Sequence, residues 1–166
     1  MILAILLSAA AAGESLPPCP AAQLSLSFDD EGGTFSGMQQ SGTLMVIRNL
    51  GPGDCTVPSL PTLTFFDAKG KPLAVGRKAP PHMHPGPVMA PAGVADGAEV
   101  TATLRWVSGP AFEHSRCVDA TSARISIGSD VLSGGVGATF CAPQGGAATF
   151  DQPRLRPDPV LGRRGT

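Results

Sequence analysis

The chain has 166 residues, with 12 basic and 13 acidic side chains and a formal net charge of −1. That balance argues against the electrostatic footprint of a nucleic-acid or anionic-lipid binder, and the length suits one domain with a sizeable core. Gly (21) and Pro (17) are far above average usage while charged residues make up only 15%, so the composition predicts many turns between short strands and little helix.

Residues 1–12 come first. Met1-Ile2-Leu3-Ala4-Ile5-Leu6-Leu7-Ser8 leads into Ala9-Ala10-Ala11-Ala12, an apolar run followed by small residues, as in a secretory signal peptide cleaved near Ala11 or Ala12. The competing reading is a buried N-terminal helix. The run is too short to span a bilayer. Leu16-Pro17-Pro18-Cys19 places prolines where a bacterial lipobox would carry small residues, which argues against a lipid anchor.

Strand signals then recur with a period of two. Leu24, Leu26 and Phe28 alternate with polar residues, while Thr43-Leu44-Met45-Val46-Ile47-Arg48-Asn49 is a more continuous apolar run, as expected of a strand covered on both faces. Leu63 and Phe65 alternate again, ending at Asp67-Ala68-Lys69-Gly70-Lys71, a hairpin turn with Gly supplying positive φ. The clearest strand covers residues 99–106: Val100, Ala102, Leu104 and Trp106 point one way, Glu99, Thr101, Thr103 and Arg105 the other. Further strands are expected at residues 123–127, 136–140 and 148–155. Seven or so short strands separated by turns predict a sandwich.

Cys19, Cys55, Cys117 and Cys141 all lie beyond the signal segment, and an even count in an exported chain reads as a disulfide framework. Cys19 precedes the first strand and Cys55 follows the second, so antiparallel pairing of these strands brings both to one edge. The same reasoning brings Cys117, before the 123–127 strand, to Cys141, after the 136–140 strand. Of the three possible connectivities, this favours Cys19–Cys55 with Cys117–Cys141. The end of the chain, from Pro157 onward, includes Arg163 and Arg164 among Pro and Gly residues and reads as a solvated, flexible Pro/Arg-rich tail (157–166) after a sandwich domain at 13–156.

Asn49-Leu50-Gly51-Pro52-Gly53-Asp54-Cys55-Thr56-Val57, followed by Leu60-Pro61-Thr62-Leu63, carries a wider likeness. So do Met89-Ala90-Pro91-Ala92-Gly93 ahead of the clearest strand and Leu104-Arg105-Trp106 within it. A strand ending in Asn-x-Gly, a Cys with an apolar residue two positions later, then a Pro entering the next strand resembles the hallmark of a bacterial secreted family, domain-of-unknown-function family 4232. The likeness covers nearly all of the chain after the signal segment. It implies an all-β fold, an immunoglobulin-like antiparallel sandwich of about seven to nine strands with two disulfides, often exported. It transfers no catalytic residue.

No Gly-x-Ser-x-Gly elbow, phosphate loop, dinucleotide fingerprint or His-Glu-x-x-His helix is present. Glu113-His114 lies close to Cys117, but a cysteine in a disulfide is no nucleophile. Asp29-Asp30-Glu31 lacks the spaced acidic pattern of a dedicated calcium loop and reads as a solvated turn. Pro80-Pro81-His82-Met83-His84-Pro85-Gly86-Pro87-Val88-Met89 is the most distinctive segment. Imidazoles at alternate positions of an extended chain share a face, and the thioethers of Met83 and Met89 suit Cu(I). The competing reading is an exposed loop. The expected function is therefore an exported, non-catalytic binding or structural module, secreted or periplasmic, without a cofactor or a membrane span in the mature chain. Its partner would be an unknown protein or envelope component, met through loops at the sandwich ends. The alternative is a periplasmic copper-binding protein using His82, Met83, His84 and Met89.

Overall fold

The structure is a computed structural model that describes residues 15–79 and 89–158. Eleven strands follow in chain order: β1 (Leu24–Asp29), β2 (Gln40–Asn49), β3 (Cys55–Val57), β4 (Leu63–Phe66), β5 (Val75–Arg77), β6 (Ala92–Val94), β7 (Glu99–Val107), β8 (Arg116–Ile127), β9 (Asp130–Ala142), β10 (Ala148–Asp151) and β11 (Arg156–Pro157). Among the described residues helical structure is confined to two 3-10 turns, Ala21–Gln23 and Glu31–Gly33. No helix among the described residues is long and apolar enough to cross a membrane.

The larger sheet runs β1-β2-β7-β10-β5, with β11 also paired to β7; the second is β4-β8-β9, and β3-β6 forms a small third. Every pairing is antiparallel except β5 with β10. The expected all-β sandwich and both expected disulfides are present. The strands among the described residues number eleven rather than seven because β3, β5, β6 and β11 are only two or three residues long, too short to show a period in sequence.

Alternation decides which side chains form the core. Val100, Ala102, Leu104 and Trp106 of β7 are all buried, as their spacing predicts, and meet Met45 and Ile47 of β2 across the ladder. From the opposite sheet come Phe65, Ile125 and Phe140. Phe65 lies 4.6 Å from Phe140 and 5.2 Å from Phe150, and Trp106 4.9 Å from Phe140, centroid to centroid. Two of these contacts bridge the sheets, and aromatic pairs of this geometry contribute about 0.5–1.5 kcal/mol each beyond area burial.

Several expectations are refined. The run at 43–49 is covered fully on one face only: Thr43, Met45, Ile47 and Asn49 are buried, while Leu44 and Val46 are half-buried. The turn at Asp67 forms as expected, with Gly70 at φ 75° and Asp67 Oδ1 accepting from the N–H groups of Lys69 and Lys71 at 2.9 Å each. It closes a minimal hairpin: Phe66 and Pro72 form an antiparallel bridge flanked by the Asp67 N–H donating to Lys71 O at 3.0 Å and the Leu73 N–H donating to Phe65 O at 2.9 Å, after which the chain crosses to the other sheet as β5. The strand expected at 148–155 stops at Asp151, shortly before Pro153. Pairing also runs past the expected domain end at 156: Pro157 pairs with Val100, and the Asp158 N–H donates to the Glu99 carbonyl at 3.1 Å.

Candidate functional site

At one end of the sandwich, segments far apart in sequence border an open cleft of about 450 Å³ lined by Pro18, Thr56, Val57, Pro58, Ser59, Leu60, Met89, Pro91, Ile127 and Gly128. Its lining is mainly apolar, and its volume falls within the range of small-ligand pockets. The wall from β3 is fixed from its N-terminal side. Thr56 donates its N–H to the Pro17 carbonyl at 2.8 Å, the Cys19 N–H donates back to Thr56 O at 2.9 Å, and the Cys19–Cys55 disulfide clamps the same point. Prolines at 17, 18, 58 and 91 limit backbone freedom around the opening.

The opposite wall is the β8–β9 connection, where Gly128 adopts φ 59° and lets the chain reverse directly after the buried Ile127. The floor is tied through Ser59, a buried residue whose carbonyl accepts the Leu155 N–H at 2.8 Å. Behind β3, Asn49 is wholly buried. Its Nδ2 donates to the carbonyls of Gly53 (2.8 Å), Ala95 (3.3 Å) and Val94 (3.4 Å), and its Oδ1 accepts the Gly51 N–H at 3.1 Å. The Asn-x-Gly signature at 49–51 is thus a structural knot: one buried amide fastens the β2–β3 turn to β6.

Both disulfides join the cysteines expected. Cys117 and Cys141 are direct partners in the β8–β9 ladder, each one residue in from the end of its strand, because both strands are longer than their apolar stretches suggested. His82, Met83 and His84 lie outside the described residues, as do residues 1–12 and the tail arginines Arg163 and Arg164. Met89 is described, and it lines the cleft beside Leu60 and Ile127. Among the described residues no group of three or more His, Cys, Asp or Glu side chains is placed to hold a metal ion.

His114 is exposed, at φ 58°, in the β7–β8 loop, and its neighbour in sequence Cys117 is oxidised. Asp29 and Asp30 spend their carboxylates on the turn itself, Asp29 accepting from the Glu31 N–H at 2.8 Å and Asp30 from the Gly32 N–H at 3.1 Å. Sequence reasoning missed the cleft. Its one local signal was the density of prolines around Val57 and Leu60; the rest is assembled by topology from segments more than a hundred residues apart.

A family model described as Domain of unknown function (DUF4232) matches residues 19–160. Neither the curated proteins nor the solved structures include a match to this chain.

Proposed function

The chain belongs to the DUF4232 family, and on that footing we propose that the protein is an exported, non-catalytic module, secreted or periplasmic, that binds an envelope or extracellular component through the loop-built end of its sandwich. The observation that carries this reading is the cleft at that end, an apolar recess of about 450 Å³ with Val57, Leu60 and Ile127 in its wall. A concave apolar surface held by a disulfide and by proline-restricted loops is preorganised, so little ordering cost is incurred when a ligand docks.

Export is supported by the two disulfides, which persist in oxidising compartments and are rare where thioredoxin and glutathione keep thiols reduced. It is also supported by the signal-like sequence at residues 1–12. Mass measurement of the protein recovered from outside the cytoplasm should give a chain beginning at Ala12 or Gly13. Recovery of the full chain, with Met1 retained and in the cytoplasm, removes the export reading.

The binding reading is tested by charging one wall of the cleft. Leu60 is only half-buried, so Leu60→Glu should fold while placing a carboxylate in the recess. Immobilised wild-type protein is expected to retain a component of envelope extract that Leu60→Glu loses. Equal retention by the two proteins, or none by the wild type, refutes a role for the cleft.

A further inference from the structure

We propose that the outer face of the β4-β8-β9 sheet carries a second site, centred on Arg124, for a pyranose sugar bearing a carboxylate. A shallow recess of about 450 Å³ on this face is lined by Thr64, Phe66, Arg124, Ser126, Val131 and Ser133. The ladder builds it. Arg124 pairs with Thr64 of β4 on one side and Ser133 of β9 on the other, and Ser126 pairs with Val131 one row along. These side chains therefore share one face of the sheet.

The Arg124 guanidinium lies 4.2 Å from the centroid of the Phe66 ring. Stacking on an aromatic face orients the planar fork and leaves its N–H donors available. A second arginine in the same molecule shows what a satisfied stack looks like. Arg105 lies 4.7 Å from the Phe35 ring, and its Nη1 also donates to the Phe35 carbonyl at 3.0 Å. Arg124 has no such acceptor among the described residues. The ion pair on the described surface joins Arg48 to Glu99, and no carboxylate lines the Arg124 recess. Its single charge is positive, and a carboxylate is the planar anion that a guanidinium binds in bidentate fashion.

The remaining groups narrow the ligand further. Three hydroxyls, from Thr64, Ser126 and Ser133, can both donate and accept hydrogen bonds, as the hydroxyls of a sugar require. Val131, 56% exposed, offers an apolar surface to the C–H face of a ring. In the same row as Phe66, across Ser122, Gly135 has open space where a side chain would stand, so a ligand longer than one ring meets no obstruction there.

The test is a titration of the ¹⁵N-labelled protein with glucuronate, glucose and acetate, followed through amide shifts. Glucuronate is expected to bind saturably and to move the amides of Thr64, Arg124 and Ser133. Glucose, which lacks the carboxylate, and acetate, which lacks the ring, should each bind about tenfold or more weakly. Arg124→Gln should weaken glucuronate by a similar factor, and Arg124→Lys should recover only part of it, because an ammonium lacks the planar fork. Both are exposed substitutions, and unchanged thermal midpoints will confirm folding. Leu60→Glu, in the separate end cleft, should bind glucuronate like the wild type. Shifts remote from these residues, equal affinity for glucuronate and glucose or acetate, or unchanged glucuronate affinity in Arg124→Gln would each overturn the proposal.

Discussion

Cys117 and Cys141 face each other directly across the β8–β9 ladder and are disulfide-bonded, with Cα atoms 4.1 Å apart; Cys117 is exposed, whereas Cys141 is buried. The other pair, Cys19–Cys55, is buried at both ends, with the Gln23 side-chain amide donating to Cys55 Sγ at 3.2 Å. Thiol–disulfide exchange needs an attacking thiolate to reach a sulfur, so access ranks the two bonds. Graded dithiothreitol followed by alkylation and peptide mapping should label Cys117 and Cys141 first. Labelling of Cys19 and Cys55 at the same or lower reductant concentration contradicts this ordering.

Removing the bonds altogether should rank them too. Their sequence separations, 24 and 36 residues, are similar, so the chain-entropy contribution is about 3–4 kcal/mol for either. The difference lies in the folded state. Cys19→Ala/Cys55→Ala empties two buried sites beside Val57 and unfastens the N-terminal segment, whereas Cys117→Ala/Cys141→Ala acts on a hairpin already closed by its ladder. Guanidinium unfolding of each double variant, read through the fluorescence of the sole tryptophan, Trp106, should give the lower midpoint for the first. The reverse order would show that the buried contacts around Cys19 and Cys55 add nothing.

Asn49 should tolerate no replacement. Its amide donates to carbonyls on both the β2–β3 turn and β6 and accepts from Gly51, so Asn49→Ala removes a partner from two buried backbone groups, the Gly51 N–H and the Val94 carbonyl, at roughly 1–3 kcal/mol for each left unpaired. Asn49→Asp keeps the shape but loses the Nδ2 donor and sets a buried carboxylate against carbonyl oxygens, which is expected to be worse. Urea unfolding should rank wild type above Asn49→Ala and Asn49→Ala above Asn49→Asp. An aspartate variant as stable as the wild type would mean that the hydrogen-bond network contributes nothing.

Much of this frame is legible in sequence wherever a strand is long and buried on one face. The alternation from Val100 to Trp106 identifies the inward residues of β7 one by one, and antiparallel pairing of β1 with β2 carries Cys19 toward Cys55. What escapes is of three kinds. Three-residue strands such as β3 and β6 show no period, although their pairing brings Val57 beside Ala92. A proline ends a strand that otherwise reads as continuous, as after Asp151, where Pro153 follows. Sites built from several segments, such as the cleft joining Pro18, Leu60 and Ile127 or the face joining Thr64, Arg124 and Ser133, exist only once topology has brought their parts together. The Asn-x-Gly signature was visible, yet its reason, a buried amide bonded to residues 45 and 46 positions away, was not.

Two adjacent glycines in β9 separate close approach from free space. A Cβ on Gly134 would stand 2.8 Å from the Leu26 carbonyl oxygen and 3.1 Å from the Phe28 ring, where β9 crosses β1; a Cβ on Gly135 would meet nothing within 4 Å. The first obstacle is backbone and cannot swing away. Gly134→Ala should therefore force β1 and β9 apart at about 1–3 kcal/mol, the usual cost of overpacking. Gly135→Ala removes only unfolded-state freedom and should leave stability unchanged or raise it by about 0.5–1 kcal/mol. Denaturation midpoints of the two variants, measured side by side, should fall on opposite sides of the wild type or nearly so. Equal destabilisation by both would place the cost in β9 itself rather than in its contact with β1, and would remove the argument that Gly134 is needed to close the sandwich along that edge.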